Sequence, residues 1–100
     1  MKKIFKYTLE ITDYQEIKMP FDAKIISVEN QNDNVVIYVE VDADIKTSIP
    51  RAFEIIGTGN SYYDKPRNFL GTVVTNNGRL VWHVFESFGV NETLGYRTIN

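Results

Sequence analysis

The chain has 100 residues, 43% of them hydrophobic and 24% charged, and its eleven Lys and Arg against thirteen Asp and Glu leave a formal net charge of −2. That is the size of one domain and the composition of an ordinary globular protein, which excludes a two-domain architecture and wholesale disorder. The absence of cysteine excludes disulfides, thiolate catalysis and Cys-based zinc sites, and no apolar run of about 18 residues is present to cross a membrane as a helix.

Along the chain, Met1-Lys2-Lys3-Ile4-Phe5-Lys6 carries basic residues with no apolar stretch behind them, so a signal peptide is not expected and the location is expected to be cytoplasmic. Lys3 to Ile11 alternates, with Phe5, Tyr7, Leu9 and Ile11 on one face, and reads as a half-buried strand. Ile17 to Pro20 reads as a short edge segment, because Pro20 cannot donate to a ladder. Ala23 to Glu29 and Val35 to Asp42 read as a hairpin across the Asn-rich link Asn30-Gln31-Asn32-Asp33-Asn34, since Asn and Asp tolerate positive φ. The second of these strands is the most apolar and is expected to be central. Asp42 to Pro50 reads as a loop with room for one helical turn, and Arg51 to Gly57 as the fourth strand.

Thr58 to Asn68 is a polar excursion containing Gly59, Tyr62, Tyr63 and Pro66. Phe69 to Thr75 and Arg79 to Ser87 are the fifth and sixth strands, and Asn77-Gly78 between them predicts a type I′ turn. The sum is an all-β domain over residues 1–86, a small antiparallel sandwich or open barrel of about six strands. Residues 87–100 form a C-terminal extension, either a further strand around Tyr96 or a frayed tail.

Few residues carry recognisable chemistry. His83 is the one histidine and shares a strand face with Val81 and Phe85. With no nucleophile elbow around any serine, His83 reads as a structural or ligand-contact residue rather than a general base. One histidine and no cysteine give no metal site, Asp42 and Asp44 lack the further oxygens of a calcium loop, and no cofactor is expected. Gly57-Thr58-Gly59 follows a strand, and its backbone N–H groups suit a small anion, although it lacks the Lys-Ser/Thr ending of a P-loop.

Among Arg51, Arg67, Arg79 and Arg97, whose forked guanidinium groups suit phosphate or carboxylate, Arg51 and Arg67 bracket the glycine turn and are expected to approach one ligand from two sides. Tyr62 and Tyr63 offer stacking surface for a base. Trp82 anchors either the core, alongside Leu80 and Val84, or a partner. The ligand-binding set read from the sequence is therefore Arg51, Gly57, Thr58, Gly59, Arg67, Trp82 and His83. Scattered charge without a basic stripe argues against duplex nucleic acid as the partner.

The segments Ile4-Phe5-Lys6-Tyr7-Thr8-Leu9-Glu10-Ile11-Thr12-Asp13, Met19-Pro20, Ala23-Lys24-Ile25-Ile26-Ser27-Val28, Phe53-Glu54-Ile55-Ile56-Gly57-Thr58-Gly59, Phe69-Leu70-Gly71-Thr72-Val73 and Leu80-Val81-Trp82-His83-Val84-Phe85-Glu86 together resemble a family of small tailed-phage and prophage proteins of unassigned function. Two departures stand out: Phe5 sits where the family commonly has tryptophan, and the chain runs on from Ser87 to Asn100, whereas members usually stop soon after the position of Glu86.

The resemblance implies a phage accessory protein acting in the host cytoplasm and implies no reaction. The resulting expectation is a non-enzymatic, oligomeric counter-defence protein that sequesters a host nucleotide immune signal, a small anionic ligand. The alternatives are a protein–protein inhibitor of a host defence complex, anti-CRISPR-like, with Tyr14, Phe21, Tyr62, Tyr63 and the C-terminal tail as its contact patch, and a minor phage structural or accessory protein.

Overall fold

The computed structural model describes residues 1–88. Seven strands and no helix make up these residues: β1 (Lys2–Leu9), β2 (Gln15–Pro20), β3 (Lys24–Gln31), β4 (Asn34–Asp42), β5 (Ser48–Gly57), β6 (Arg67–Thr75) and β7 (Leu80–Ser87). They form a three-stranded sheet, β1-β4-β3, and a four-stranded sheet, β2-β5-β7-β6, with every pairing antiparallel. The protein is a small all-β sandwich.

Its core lies between the sheets and follows from alternation. Leu9, Val35, Ile37, Val39 and Val41 from the first sheet meet Met19, Phe53, Ile55, Val73 and Val84 from the second. β4 is the centre of its sheet, as its run of valines and isoleucine leads one to expect, and burial of each such side chain contributes about 1.5–3 kcal/mol. The β3 and β6 edges lie together. Asn30 Nδ2 donates to the Val74 carbonyl at 2.7 Å, and the Asn76 amide donates to Asp33 Oδ1 at 2.9 Å.

Four local expectations change. Ile17 to Pro20 belongs to a full six-residue edge strand, because it pairs with β5 as far as Gln15 opposite Phe53. β5 starts at Ser48, so the link from β4 shrinks and holds no helical turn. On β1 only Tyr7 and Leu9 pack on the core. Phe5 is 38% exposed at an edge strand, and Ile11 lies beyond the strand at 49%.

The two-residue turn with paired positive φ occurs at Asn32-Asp33, since Gln31 already pairs with Asn34. The Asn77-Gly78 turn expected from the sequence is present as well, both residues at positive φ and the Arg79 amide donating to the Asn76 carbonyl at 3.2 Å. Asn76 is also at positive φ, however, and the ladder stops at Thr75 and Leu80, so this connection is four residues long. Of the extension expected over residues 87–100, Ser87 ends β7, and the further strand around Tyr96 or frayed tail lies outside the described residues.

Candidate functional site

β5 carries Phe53 and Ile55 into the core, so Glu54 and Ile56 point to the opposite, outer face of the four-stranded sheet. Phe85 pairs with Glu54 and His83 with Ile56 on that same face. Thr72 of β6 stands across from His83. A sheet face turned to solvent leaves a carboxylate wet, yet Glu54 is only 5% exposed. The excursion between β5 and β6 covers it: Arg67 Nη2 and Nε lie 3.0 and 3.3 Å from Glu54 Oε1, and Lys65 Nζ lies 2.8 Å from Oε2. The Arg67 guanidinium also sits 5.1 Å from the Tyr62 ring centre and 5.7 Å from that of Phe85, which pins Tyr62 over the sheet. Burial pushes the Glu54 carboxyl up, but the Lys65, Ser87 and Arg67 side chains around it outweigh that and hold the carboxyl below its ordinary range.

Two adjoining cavities open on this face, sharing Ile56, Asn60 and Tyr62 in their linings. One, of about 360 Å³, takes in Gly57, Thr58, Gly59, His83 and Phe85. The other, of about 300 Å³, takes in Asp13, Tyr14, Glu54, Tyr63 and Lys65. Thus four of the seven residues singled out from the sequence converge on one cavity. His83 is held from both sides there: Nε2 is 2.7 Å from Thr58 Oγ1 and Nδ1 is 3.1 Å from Thr72 Oγ1. A neutral imidazole donates through one nitrogen and accepts through the other, so one threonine hydroxyl is oriented as acceptor and the other as donor.

The glycine turn is well formed, with Gly59 at φ 90° and the Asn60 amide donating to the Gly57 carbonyl at 3.0 Å. Thr58 N–H is spent on the Val81 carbonyl at 3.1 Å, so that amide is not offered to a ligand.

The remaining three residues are placed differently. Arg51 lies on the core side of β5, where Nε and Nη2 donate to Glu86 Oε2 and Oε1 at 2.7 and 2.9 Å and Nη1 donates to the Ala23 carbonyl at 2.5 Å. All three guanidinium nitrogens are engaged in tying β5 and β7 to the β2–β3 link, so Arg51 does not join Arg67 over a ligand. The reason is parity: strand positions 51 and 54 point to opposite faces. Trp82 also faces the core. Its ring packs against Gly57, and its Nε1–H donates to Thr75 Oγ1 at 2.9 Å. Arg67 is on the site's face, but its charge is matched by Glu54.

Sequence reasoning missed Glu54, Lys65, Asn60, Ile56 and Asp13. The one available signal was that Glu54 is flanked on its own strand face by the apolar Ala52 and Ile56, an outer face less polar than one left open to water.

The chain belongs to the family of the domain of unknown function DUF7352. That family's model matches residues 1–93, the whole sandwich and part of the C-terminal extension. No curated protein and no solved structure matches the chain. The DUF7352 match therefore covers every residue of both cavities without attaching a ligand or a reaction to them.

Proposed function

We propose that the protein is a phage-encoded, non-enzymatic binding protein that holds a nucleotide-like ligand on the outer face of its four-stranded sheet and so sequesters a host nucleotide immune signal in the host cytoplasm. One observation carries the reading: Gly57, Thr58, Gly59 and His83 meet at a cavity of about 360 Å³ beside the Tyr62 ring, at the lower end of the size range of small-molecule sites.

Tyr62, Phe85 and Ile56 supply apolar surface for a planar base. The Thr58 hydroxyl, Asn60 and the Gly59 amide supply hydrogen bonds to its edge. Both nitrogens of His83 are held by hydroxyls rather than by a carboxylate, an arrangement for recognition rather than proton abstraction. A cavity this open encloses part of a nucleotide, and closure of the rest by a second copy makes the binding form a homo-oligomer.

The test is thermal stabilisation by a panel of cyclic di- and trinucleotides and ADP-ribose derivatives. A ligand at about 100 times its Kd adds roughly 2.7 kcal/mol, a rise of about 10 °C for a domain of this size. Thr58→Ala and His83→Ala should abolish that rise while leaving the unliganded Tm within a few degrees. A flat panel overturns the reading.

A second reading rests on exposed aromatic area. Tyr63 at 89% and Phe69 at 56% exposure sit on the same outer side as Tyr62, and aromatic anchors of this kind suit a protein–protein inhibitor. Under that reading a host partner co-purifies from infected cells, and Tyr63→Ala with Phe69→Ala releases it.

A further inference from the structure

The cavity of about 300 Å³ beside the nucleotide-like site has a different chemistry. Tyr14, Tyr62 and Tyr63 line it together with the acidic residues Asp13 and Glu54 and with Lys65. We propose that this cavity is a binding site for an organic ammonium group, and that the Lys65 side chain is its built-in occupant.

Three observations converge on it. Lys65 Nζ already places a primary ammonium 2.8 Å from Glu54 Oε2, while its own side chain stays 43% exposed at the rim. The cavity therefore accepts an alkylammonium, and the one it holds is free to swing out to water. Arg67 alone matches the Glu54 charge through Oε1. Exchange of Lys65 for an incoming ammonium then replaces like with like and leaves no carboxylate stranded. Asp13 makes no ion pair among the described residues, so it supplies an uncompensated negative charge at the cavity wall.

The tyrosine rings add what Lys65 does not use. The negative face of an aromatic ring attracts a cation within about 6 Å, most strongly for cations too bulky to keep a full hydration shell. The Tyr14 hydroxyl is tied back to Glu16 Oε2 at 2.9 Å. Burial, that hydrogen bond and the neighbouring carboxylates push its ionisation up to about 12, so the phenol stays neutral and its ring stays available. The ligand class is thus an alkylammonium or methylated ammonium, presented either by a free amine or by a lysine side chain of another protein.

This inference goes beyond the nucleotide reading and is separable from it. Backbone amide shifts would be followed by NMR during titration with tetramethylammonium and with n-butylammonium, and tert-butanol would serve as the uncharged control. Shifts at Asp13, Tyr14 and Tyr63 with both cations and none with tert-butanol are expected. Asp13→Asn, at an exposed position, should weaken binding at least threefold. Lys65→Met should tighten n-butylammonium binding at least fivefold by removing the internal competitor, an effect that a purely structural Lys65 does not produce.

The inference is overturned if tert-butanol shifts the same amides, if Lys65→Met leaves the cation affinity unchanged, or if inorganic phosphate perturbs Asp13, Tyr14 and Tyr63 in place of the cations. A short lysine peptide and its trimethyl-lysine form, run against the free amines, show which source binds tighter. Nucleotide binding reads out instead at Thr58, Gly59 and His83, so either proposal fails without the other.

Discussion

At the residue scale, Gly57 shows how one missing side chain leaves room for two neighbours. A Cβ there meets Asn60 Nδ2 at 2.9 Å and Trp82 Cζ3 at 3.2 Å, so Gly57→Ala has to displace the Asn60 side chain and press on the indole. We expect a loss of about 1–3 kcal/mol from overpacking, measured by urea denaturation and accompanied by a changed Trp82 near-UV signal. An unaltered midpoint would mean that the indole does not lie against Gly57.

Arg51 is the second residue-scale case. Its ion pair with Glu86 is largely out of water, with side-chain exposures of 18% and 14%. Arg51→Ala leaves that carboxylate without its partner and should cost about 3 kcal/mol. Arg51→Ala combined with Glu86→Ala should cost less than the sum of the two single changes, and strict additivity in that double-mutant cycle would refute the coupling.

Glu54 supplies a pH dependence of definite sign. Its folded-state carboxyl is held below its ordinary value of 4.5, so the unfolded chain binds the proton more tightly. The stabilisation is complete above that ordinary value and is lost as pH falls through the depressed one. Denaturation midpoints recorded from about pH 6 to about pH 2 should fall more steeply for the wild type than for Glu54→Gln, in which this contribution is absent. Parallel curves would show that Arg67 and Lys65 do not hold the carboxylate.

At the scale of elements, the two hairpins are joined tip to tip. Asp33 has φ 67° in the β3–β4 turn and accepts the Asn76 amide of the β6–β7 turn through Oδ1 at 2.9 Å. Asp33→Gly keeps the backbone easy and removes only the carboxylate, whereas Asp33→Ala also strains the turn. The alanine variant should therefore be the less stable by about 1 kcal/mol, with the order of midpoints in urea as the check.

This pair also shows how far local sequence reaches. That turns occur at Asn30–Asn34 and at Asn76–Gly78 was legible from residue chemistry. Which of them is a two-residue turn was not, because register depends on how far each ladder zips, and cross-strand partners decide that. The same holds for β2, whose six residues look irregular alone and become a strand through pairing with β5.

For the whole molecule, one core cluster draws on both sheets. Neither sheet buries its apolar face without the other, so unfolding should be a single cooperative step. Trp82 fluorescence and far-UV circular dichroism should give coincident curves, and two separated transitions would show that the sheets melt independently.

The candidate site was legible in part for a related reason. Gly57, Thr58, Gly59 and His83 come together because a turn and the facing strand are already adjacent once the β5–β7 pairing forms. Arg51 and Trp82 were grouped with them by closeness in sequence, and the sheet separates them.

The amino-acid sequence by itself determined the all-β class, most of the strand segments, the central place of β4 and the face of β7 that carries His83. These follow from two-residue periodicity, β-branched composition and the backbone freedom of Asn and Gly, all of which act over a few residues. Only the tertiary structure decided the seventh strand, the outward burial of Glu54, the engagement of Arg51 in a structural clamp and the pair of cavities around Tyr62. Each of these depends on which side of a sheet a residue faces and on what a distant segment lays over it. The energy that fixes such placements is collected between residues far apart in the chain, so no short window of sequence contains it.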